Sequence, residues 1–172
     1  MVFFKYTDKE INELAKSMVI ICDTRENNSL HILDYFNQKK IPYEIRKLDT
    51  GDYSMKLPAN PEMGIIRDVY FNSVDEICGN LQKDTQQAFI NELIRSQGSR
   101  FVIFVEDENF DMNLAQGNYR SRYDPKALKG RLESLKAKYN FEICPMSKTM
   151  IGHNIYHRFL YQVRHYLKYG NL

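Results

Sequence analysis

The chain has 172 residues, of which 43% are hydrophobic and 27% are charged, and its formal net charge is +2. This composition is typical of one globular domain with a full hydrophobic core and excludes a disordered chain. No run of 18 apolar residues occurs, so we expect no membrane span, and the start of the chain lacks the apolar core of a signal peptide. The three cysteines are far apart, which argues against a disulfide framework or zinc knuckle and favours a reduced, cytoplasmic protein.

Basic residues are concentrated in the last third of the chain. Residues 119–172 hold eleven Lys/Arg and three acids, so this part carries +8 while the rest of the chain carries −6. Such a segment suits contact with a polyanion, although a solvated helix face explains the same charges. The best candidates for neutralising phosphates without reading sequence are Arg120, Arg122, Lys126, Lys129 and Arg131.

The predicted elements mix helices and strands from the first residues onward. A capping box at Thr7–Glu10 predicts a helix to about Ser17, which makes 1–17 an N-terminal helical extension. The apolar run 18–22 predicts a strand buried on both faces. Further helices are predicted at 29–40, 73–80, 84–96, 125–139 and 154–169, and further strands at 43–48, 53–57, 64–71, 101–105 and 141–144. We expect a turn at 49–52, an irregular or weakly helical segment at 107–123, and one α/β domain over 1–172.

Two helices carry local expectations. In the helix 29–40, the apolar side is predicted to be Leu30, Leu33 and Phe36. His153 and His157 form an i, i+4 pair without an acid between or beyond them, so we expect exposed helix histidines rather than a metal clamp. The tyrosines near the C-terminus are expected mainly in core or dimer contacts.

Acidic residues follow or flank three of these elements. The first strand ends in Asp23, Arg25 and Glu26, at the edge where α/β proteins keep their sites. The turn 49–52 presents Asp52. Asp75 lies in the first turn of the helix 73–80, where it also suits the helix dipole, so a purely structural role explains it as well.

In this order and spacing, the segments resemble the XPF/Hef nuclease domain family, especially its small phage-type versions. In that family the first strand ends in D-x-R-E, which matches 23–26, and a later turn carries G-D, which matches 51–52. The resemblance runs over about 19–167 and includes 117–121 and 154–161. It implies a restriction-endonuclease-like α/β fold, with a mixed sheet flanked by helices in a single domain.

One motif of the family is degenerate in this chain. The family carries E-R-K-x-x-x-D, and because the last D falls on Asp75, the first three positions are Val69, Tyr70 and Phe71. The resemblance implies that cleavage needs a divalent metal held by Asp52 and the missing glutamate, with the lysine orienting the attacking water. Val69 cannot ligate a hard cation, and Phe71 cannot donate to a phosphate.

A neighbouring acid does not restore the lost glutamate in a regular strand. Side chains alternate along a strand, so 67, 69 and 71 share one face and Asp68 points to the other unless a bulge turns it. Arg67, on the face of Val69, would place a positive charge beside any metal.

The sequence therefore favours a catalytically degenerate nuclease domain that binds DNA or docks on a protein, with no cofactor. An active metal-dependent, structure-selective endonuclease stays open, with Mg²⁺ or Mn²⁺ as cofactor and Asp52 as metal ligand. A protein-interaction factor without a DNA role stays open as well. The resemblance implies pairing through the C-terminal helix, as a homodimer or as a heterodimer with a related nuclease or another protein. In the endonuclease interpretation, the catalytic residues would be Asp23, Glu26, Asp52 and Asp75.

Overall fold

The chain folds as a mixed α/β protein, as its sequence predicts. A computed structural model describes residues 6–58 and 73–170, together with the backbone of Asp68–Phe71. The elements in chain order are α1 (Asp8–Lys16), β1 (Val19–Cys22), α2 (Leu30–Lys39), β2 (Tyr43–Ile45), β3 (Tyr53–Lys56), β4 (Asp68–Phe71), α3 (Val74–Asn80), α4 (Gln86–Arg95), β5 (Phe101–Val105), α5 (Phe110–Gln116), α6 (Pro125–Tyr139), β6 (Phe141–Pro145), a 3-10 turn (Lys148–Met150) and α7 (Ile151–Tyr169).

Two compact units divide the chain. The first comprises Met1–Arg67 and Gly152–Leu172, and the second comprises Asp68–Ile151. Within the described residues, every helix is too short or too polar to cross a membrane. The predicted placement of Arg67, and the part of the predicted strand before Asp68, lie outside the described residues.

In the first unit, β1 lies between β2 and β3. It pairs in parallel with β2 and antiparallel with β3, so that Cys22 is opposite both Ile45 and Tyr53. Most of β1 is buried, as predicted for a strand covered on both faces. Gly51 has φ 75°, a conformation that glycine adopts without steric cost, and this allows the tight turn into β3.

The N-terminal helix begins at its predicted capping box. The Thr7 hydroxyl accepts from the Glu10 amide at 3.3 Å, and the Glu10 carboxylate accepts from the Thr7 amide at 2.7 Å. Both contacts satisfy amides that the first turn of a helix leaves without partners. The helix then ends at Lys16, close to the predicted end.

The predicted apolar side of α2 is wrong at its first position. Leu30 is 74% exposed, and the buried residues of the helix are Ile32 and Phe36. These two are one turn apart, so they point to the same side and pack in the core, whereas Leu30 lies off that stripe. The opposing helix α7 comes close, since a Cβ on Gly152 would lie 2.9 Å from the ring of Tyr35.

The second unit is built on β5, which is buried throughout and pairs in parallel with both β4 and β6. Alternate residues of β5 pack with α3, α4, α5 and α6 in one hydrophobic core. The segment predicted as irregular or weakly helical contains a regular helix, α5. It forms because Phe110 and Leu114, one turn apart, are both buried in that core, and it ends at Gly117 with φ 71°.

Candidate functional site

The predicted acids of the first unit meet at one edge of its sheet. β1 delivers Asp23 and Glu26 at its C-terminal end, and Asp52 lies just before β3. Because the two strands are antiparallel neighbours, the end of one meets the start of the other, and the Asp23 amide donates to the Asp52 carbonyl at 2.7 Å. We call these three residues the carboxylate edge.

Asp23 is held by its own neighbours. Its side chain is 0% exposed, and its carboxylate accepts from the Arg25 amide at 2.8 Å and from the Arg25 guanidinium at 2.7 and 3.0 Å. The Leu48 amide donates to it at 2.5 Å, and the guanidinium of Arg25 donates to the Leu48 carbonyl at 2.8 Å. These contacts fix the segment that leads into the turn at Gly51, so Asp23 acts as an anchor of that turn.

The same contacts explain the titration of Asp23 and the length of β2. Burial alone would raise the pKa of the Asp23 carboxyl, but hydrogen bonds from Arg25 and Leu48, with the Arg25 charge, outweigh it and lower the pKa. β2 was predicted to continue to Leu48 and ends at Ile45. After one further bond, from the Arg46 amide to the Cys22 carbonyl at 2.9 Å, the backbone leaves the ladder because the Leu48 amide is bound by Asp23 rather than by a strand.

Glu26 and Asp52 are both half-buried at this edge. An oxygen of Glu26 accepts from the Asn28 amide at 2.6 Å. Burial raises the pKa of the neighbouring Tyr53 phenol, and the charges of Cys22, Glu26 and Asp52 raise it further. Three of the four predicted catalytic acids therefore lie at this edge of the sheet, at the end of β1 and in the turn before β3.

The positions predicted to carry the degenerate motif lie on a regular strand. β4 pairs with β5 in four consecutive register positions, from Asp68 opposite Val102 to Phe71 opposite Val105. Within the described residues of β4, the backbone has no bulge of the kind that Asp68 would need to take the place of Val69. The side chains of this strand lie outside the described residues.

The fourth predicted acid, Asp75, lies in the second unit at the start of α3. One carboxylate oxygen accepts from the Arg120 amide at 2.6 Å, and the other lies 3.8 Å from Nε of Arg120. The Arg120 side chain is 94% exposed. Asp75 thus holds the backbone of the segment before α6 while the guanidinium points into solvent.

Four of the five predicted phosphate-binding residues lie within the stretch 120–129 of the second unit. We call Arg120, Arg122, Lys126 and Lys129 the basic surface, and all four are exposed. The fifth, Arg131, is half-buried and donates to the side-chain oxygen of Gln86 at 3.3 Å. α6 begins at Pro125 as predicted, and Asp124 caps it by accepting from the Ala127 amide at 2.8 Å.

A model of the ERCC4 domain matches residues 22–150, which is most of the chain. The chain belongs to the ERCC4 domain family. Its fold is similar to XPF from Aeropyrum pernix, with a TM-score of 0.62 and 16% identity over 86% of this chain and 66% of that chain. XPF from Aeropyrum pernix in complex with DNA is similar at a TM-score of 0.58 and 14% identity, over 84% and 66% of the two chains. The chain spans just under two thirds of these structures, and no curated protein matches it.

ERCC4 nucleases typically use divalent metals, and the donors among the described residues do not form such a site. A hard cation needs several oxygen ligands. Within residues 6–58 and 73–170, no three His, Cys, Asp or Glu side chains lie close enough to hold a metal. Asp52 is the predicted metal ligand, and the loss of its partner glutamate at Val69 stays a prediction from the motif.

The histidine pair differs from its prediction, because His153 and His157 are half-buried rather than exposed. Their rings lie 4.1 Å apart, and Nδ1 of His153 is 3.1 Å from the Tyr35 hydroxyl. The close approach of α7 to α2 at Gly152 covers this face of the helix. Burial, followed by the charge of His153, lowers the pKa of His157.

Sequence reasoning missed two contacts that organise the ERCC4 domain. The hydrogen bond from the Leu48 amide to the Asp23 carboxylate involves a backbone donor, and no pattern of side chains in the sequence predicts such a donor. The contact of Asp75 with Arg120 joins residues 45 positions apart. A local motif cannot reveal either, since both depend on how distant segments pack.

Proposed function

We propose that this chain is a catalytically degenerate XPF-type nuclease domain that binds DNA through its basic surface. The observation that carries the proposal is Val69, Tyr70 and Phe71, which stand where the family motif has glutamate, arginine and lysine. Phosphodiester cleavage in such a site requires a cation and a poised water. An apolar side chain supplies neither, and apolar walls disfavour a hydrated cation.

The contacts of two remaining acids support the same proposal. Asp23 is fully buried among donors, so its carboxylate serves the turn at Gly51 rather than a solvent-exposed reaction. Asp75 accepts from the Arg120 amide and forms only a weak ion pair, at 3.8 Å, with the exposed guanidinium of Arg120. Neither arrangement resembles a pair of carboxylates that converge on a cation.

An active endonuclease with an altered site is the second candidate. It is favoured by Glu26 and Asp52, which lie at one edge of the sheet as the family pattern requires. The deciding experiment incubates the chain with flap, fork and four-way-junction DNA in Mg²⁺ and in Mn²⁺. We expect no cutting above background.

The matched control for that experiment is Asp52→Asn, which removes one charge and keeps the shape of the side chain. Reproducible cleavage by the wild type that this variant abolishes would establish the endonuclease and overturn the proposal. Cleavage that persists in the variant would identify a contaminating nuclease and leave the expected result intact.

DNA is the proposed partner because the basic surface presents four exposed cations on one segment. One of the similar XPF structures is a complex with DNA, and the proposal carries that partner to this chain. A protein-interaction role without DNA is the outcome if the chain binds no duplex at low salt.

Assembly is proposed to involve α7. Its residues Ile155, Phe159 and Val163 are buried in the first unit, whereas Tyr161 on the same helix is 64% exposed. An exposed tyrosine offers a large apolar area to a partner helix. We propose a homodimer, or a heterodimer with a related nuclease or another protein. Light scattering at tens of micromolar that returned only the monomer mass of 20.4 kDa would contradict the homodimer.

A further inference from the structure

We propose that Asp75, the last acid of the degenerate motif, is a positioning residue that anchors the segment 117–123 so that its arginines meet the DNA backbone. This inference rests on the proposed function, since it assigns a role within the same DNA-binding surface. We call the segment 117–123 the arginine loop.

The contact between Asp75 and Arg120 has a strong part and a weak part. The carboxylate accepts from the backbone amide at 2.6 Å, which is a short, charge-assisted hydrogen bond. Nε of Arg120 lies 3.8 Å from the other carboxylate oxygen, and the Arg120 side chain is 94% exposed, so the two groups form a weak, solvent-screened ion pair. Asp75 therefore fixes the backbone of the loop and leaves the guanidinium available for a phosphate.

Other contacts hold the two ends of the arginine loop. At its start, Gly117 has φ 71°, and the Asn118 amide donates to the Asn113 carbonyl at 2.9 Å. Toward its end, the Tyr119 hydroxyl donates to the Tyr123 carbonyl at 2.9 Å. The middle of the loop, where Arg120 lies, is tied to α3 by Asp75. Removing that acid frees the part of the loop that carries the cations.

The aromatic residues of the arginine loop indicate which class of nucleic acid it suits. Tyr119 and Tyr123 are half-buried and pack against the hydrophobic core of the second unit. Stacking on single-stranded bases needs an aromatic face that is open to solvent. The loop thus offers cations without a stacking platform, which suits the phosphates of duplex DNA of any sequence.

Two substitutions separate an anchor from a catalytic acid. Asp75→Asn keeps an oxygen that accepts from the Arg120 amide, whereas Asp75→Ala removes the acceptor. We expect Asp75→Asn to bind duplex DNA within about threefold of the wild type. We expect Asp75→Ala to bind roughly 5- to 20-fold more weakly, because two arginines must then be ordered on binding. Asp111→Ala is the matched control, since it removes an exposed first-turn acid of α5 in the same unit.

A second experiment tests whether the loss of DNA affinity in Asp75→Ala depends on the two arginines of the loop. In a chain that already carries Arg120→Ala and Arg122→Ala, adding Asp75→Ala should cause no further loss of affinity. A loss of the same size in that background would show a general structural defect and overturn the proposal. Equal losses for Asp75→Asn and Asp75→Ala would also overturn it, because they would make the charge rather than the acceptor responsible.

Trypsin gives a readout that does not depend on DNA. Cleavage after Arg120 and Arg122, followed by mass spectrometry, should be faster in Asp75→Ala and unchanged in Asp75→Asn. Unchanged cleavage in Asp75→Ala would refute the anchoring. If the wild type binds no duplex while the trypsin pattern is as expected, the proposed function and the DNA role of the loop are both refuted, and the anchor itself is upheld.

Discussion

The basic surface gives the most quantitative prediction. Arg120, Arg122, Lys126 and Lys129 are all exposed, so a duplex backbone can meet about four cations. The logarithmic slope of affinity against salt is then about −3.6, at roughly −0.9 per neutralised phosphate. The wild type should lose roughly 150-fold in affinity between about 50 and 200 mM salt.

Replacing Lys126 and Lys129 together by glutamine should remove about two of these contacts. The slope should fall to about −1.8, and the loss over the same salt range should shrink to roughly 12-fold. Duplexes of different sequence should be affected equally, because phosphate contacts carry no base information. Fluorescence anisotropy with two unrelated duplexes at several salt concentrations measures both quantities.

The matched control lies at the other end of the same helix. Lys136 is paired with Glu133 at 3.0 Å, and the ammonium group of Lys138 lies 5.0 Å from the ring centre of Tyr139. Replacing these two lysines by glutamine makes the same change in net charge about 15 Å further along α6. Equal slopes for the two double variants would refute the assignment of the basic surface and leave only a nonspecific effect of net charge.

Four further predictions concern stability. Asp23→Ala should destabilise the fold by about 2–3 kcal/mol, because it leaves the Leu48 amide without its buried acceptor. The thermal midpoint should then fall by roughly 4–12 °C, and a fall below 2 °C would contradict the anchor role. The fold lowers the pKa of Asp23, so the stabilisation by its carboxylate is complete at pH values above the unfolded pKa of 3.8. This stabilisation is lost as the pH falls further, and Asp23→Asn should not show that loss. The fold also lowers the pKa of His157, so the free energy of unfolding should decline as the pH falls below 6.5. A decline of equal size in His157→Gln would exclude His157 as the source of this pH dependence. Millimolar Mg²⁺ or Mn²⁺ should shift the thermal midpoint little, and a shift of several degrees that Asp52→Asn removes would reveal a metal site.

Much of the fold follows from patterns that are local in the sequence. The capping box at Thr7 and the continuous apolar run of β5 each depend on neighbouring residues, and both elements are confirmed. α6 likewise begins at Pro125 and ends before Asn140, as its sequence predicts. The resemblance to the XPF nuclease domain is confirmed by the family match and by the similar structures.

The errors occur where distant segments decide the outcome. Leu30 is apolar but exposed, because the direction from which the core covers α2 is set by packing against other elements. β2 is shorter than predicted because the Leu48 amide donates to the Asp23 carboxylate rather than to a neighbouring strand. His153 is half-buried because α7 approaches α2 closely at Gly152. None of these features has a periodicity or a spacing that a sequence could display.

The same contacts give two of the family's motif acids structural roles that do not depend on catalysis. Asp23 and Arg25 form the D-x-R of the first motif, and here they hold the segment before the turn at Gly51. Asp75 forms the last position of the degenerate motif, and here it binds the amide of Arg120. Substituting Asp23 would leave a buried amide without a partner, a cost that is independent of any reaction. Motif acids with such structural contacts therefore carry little information about catalysis, and the proposal of lost activity rests instead on the residue types at Val69 and Phe71.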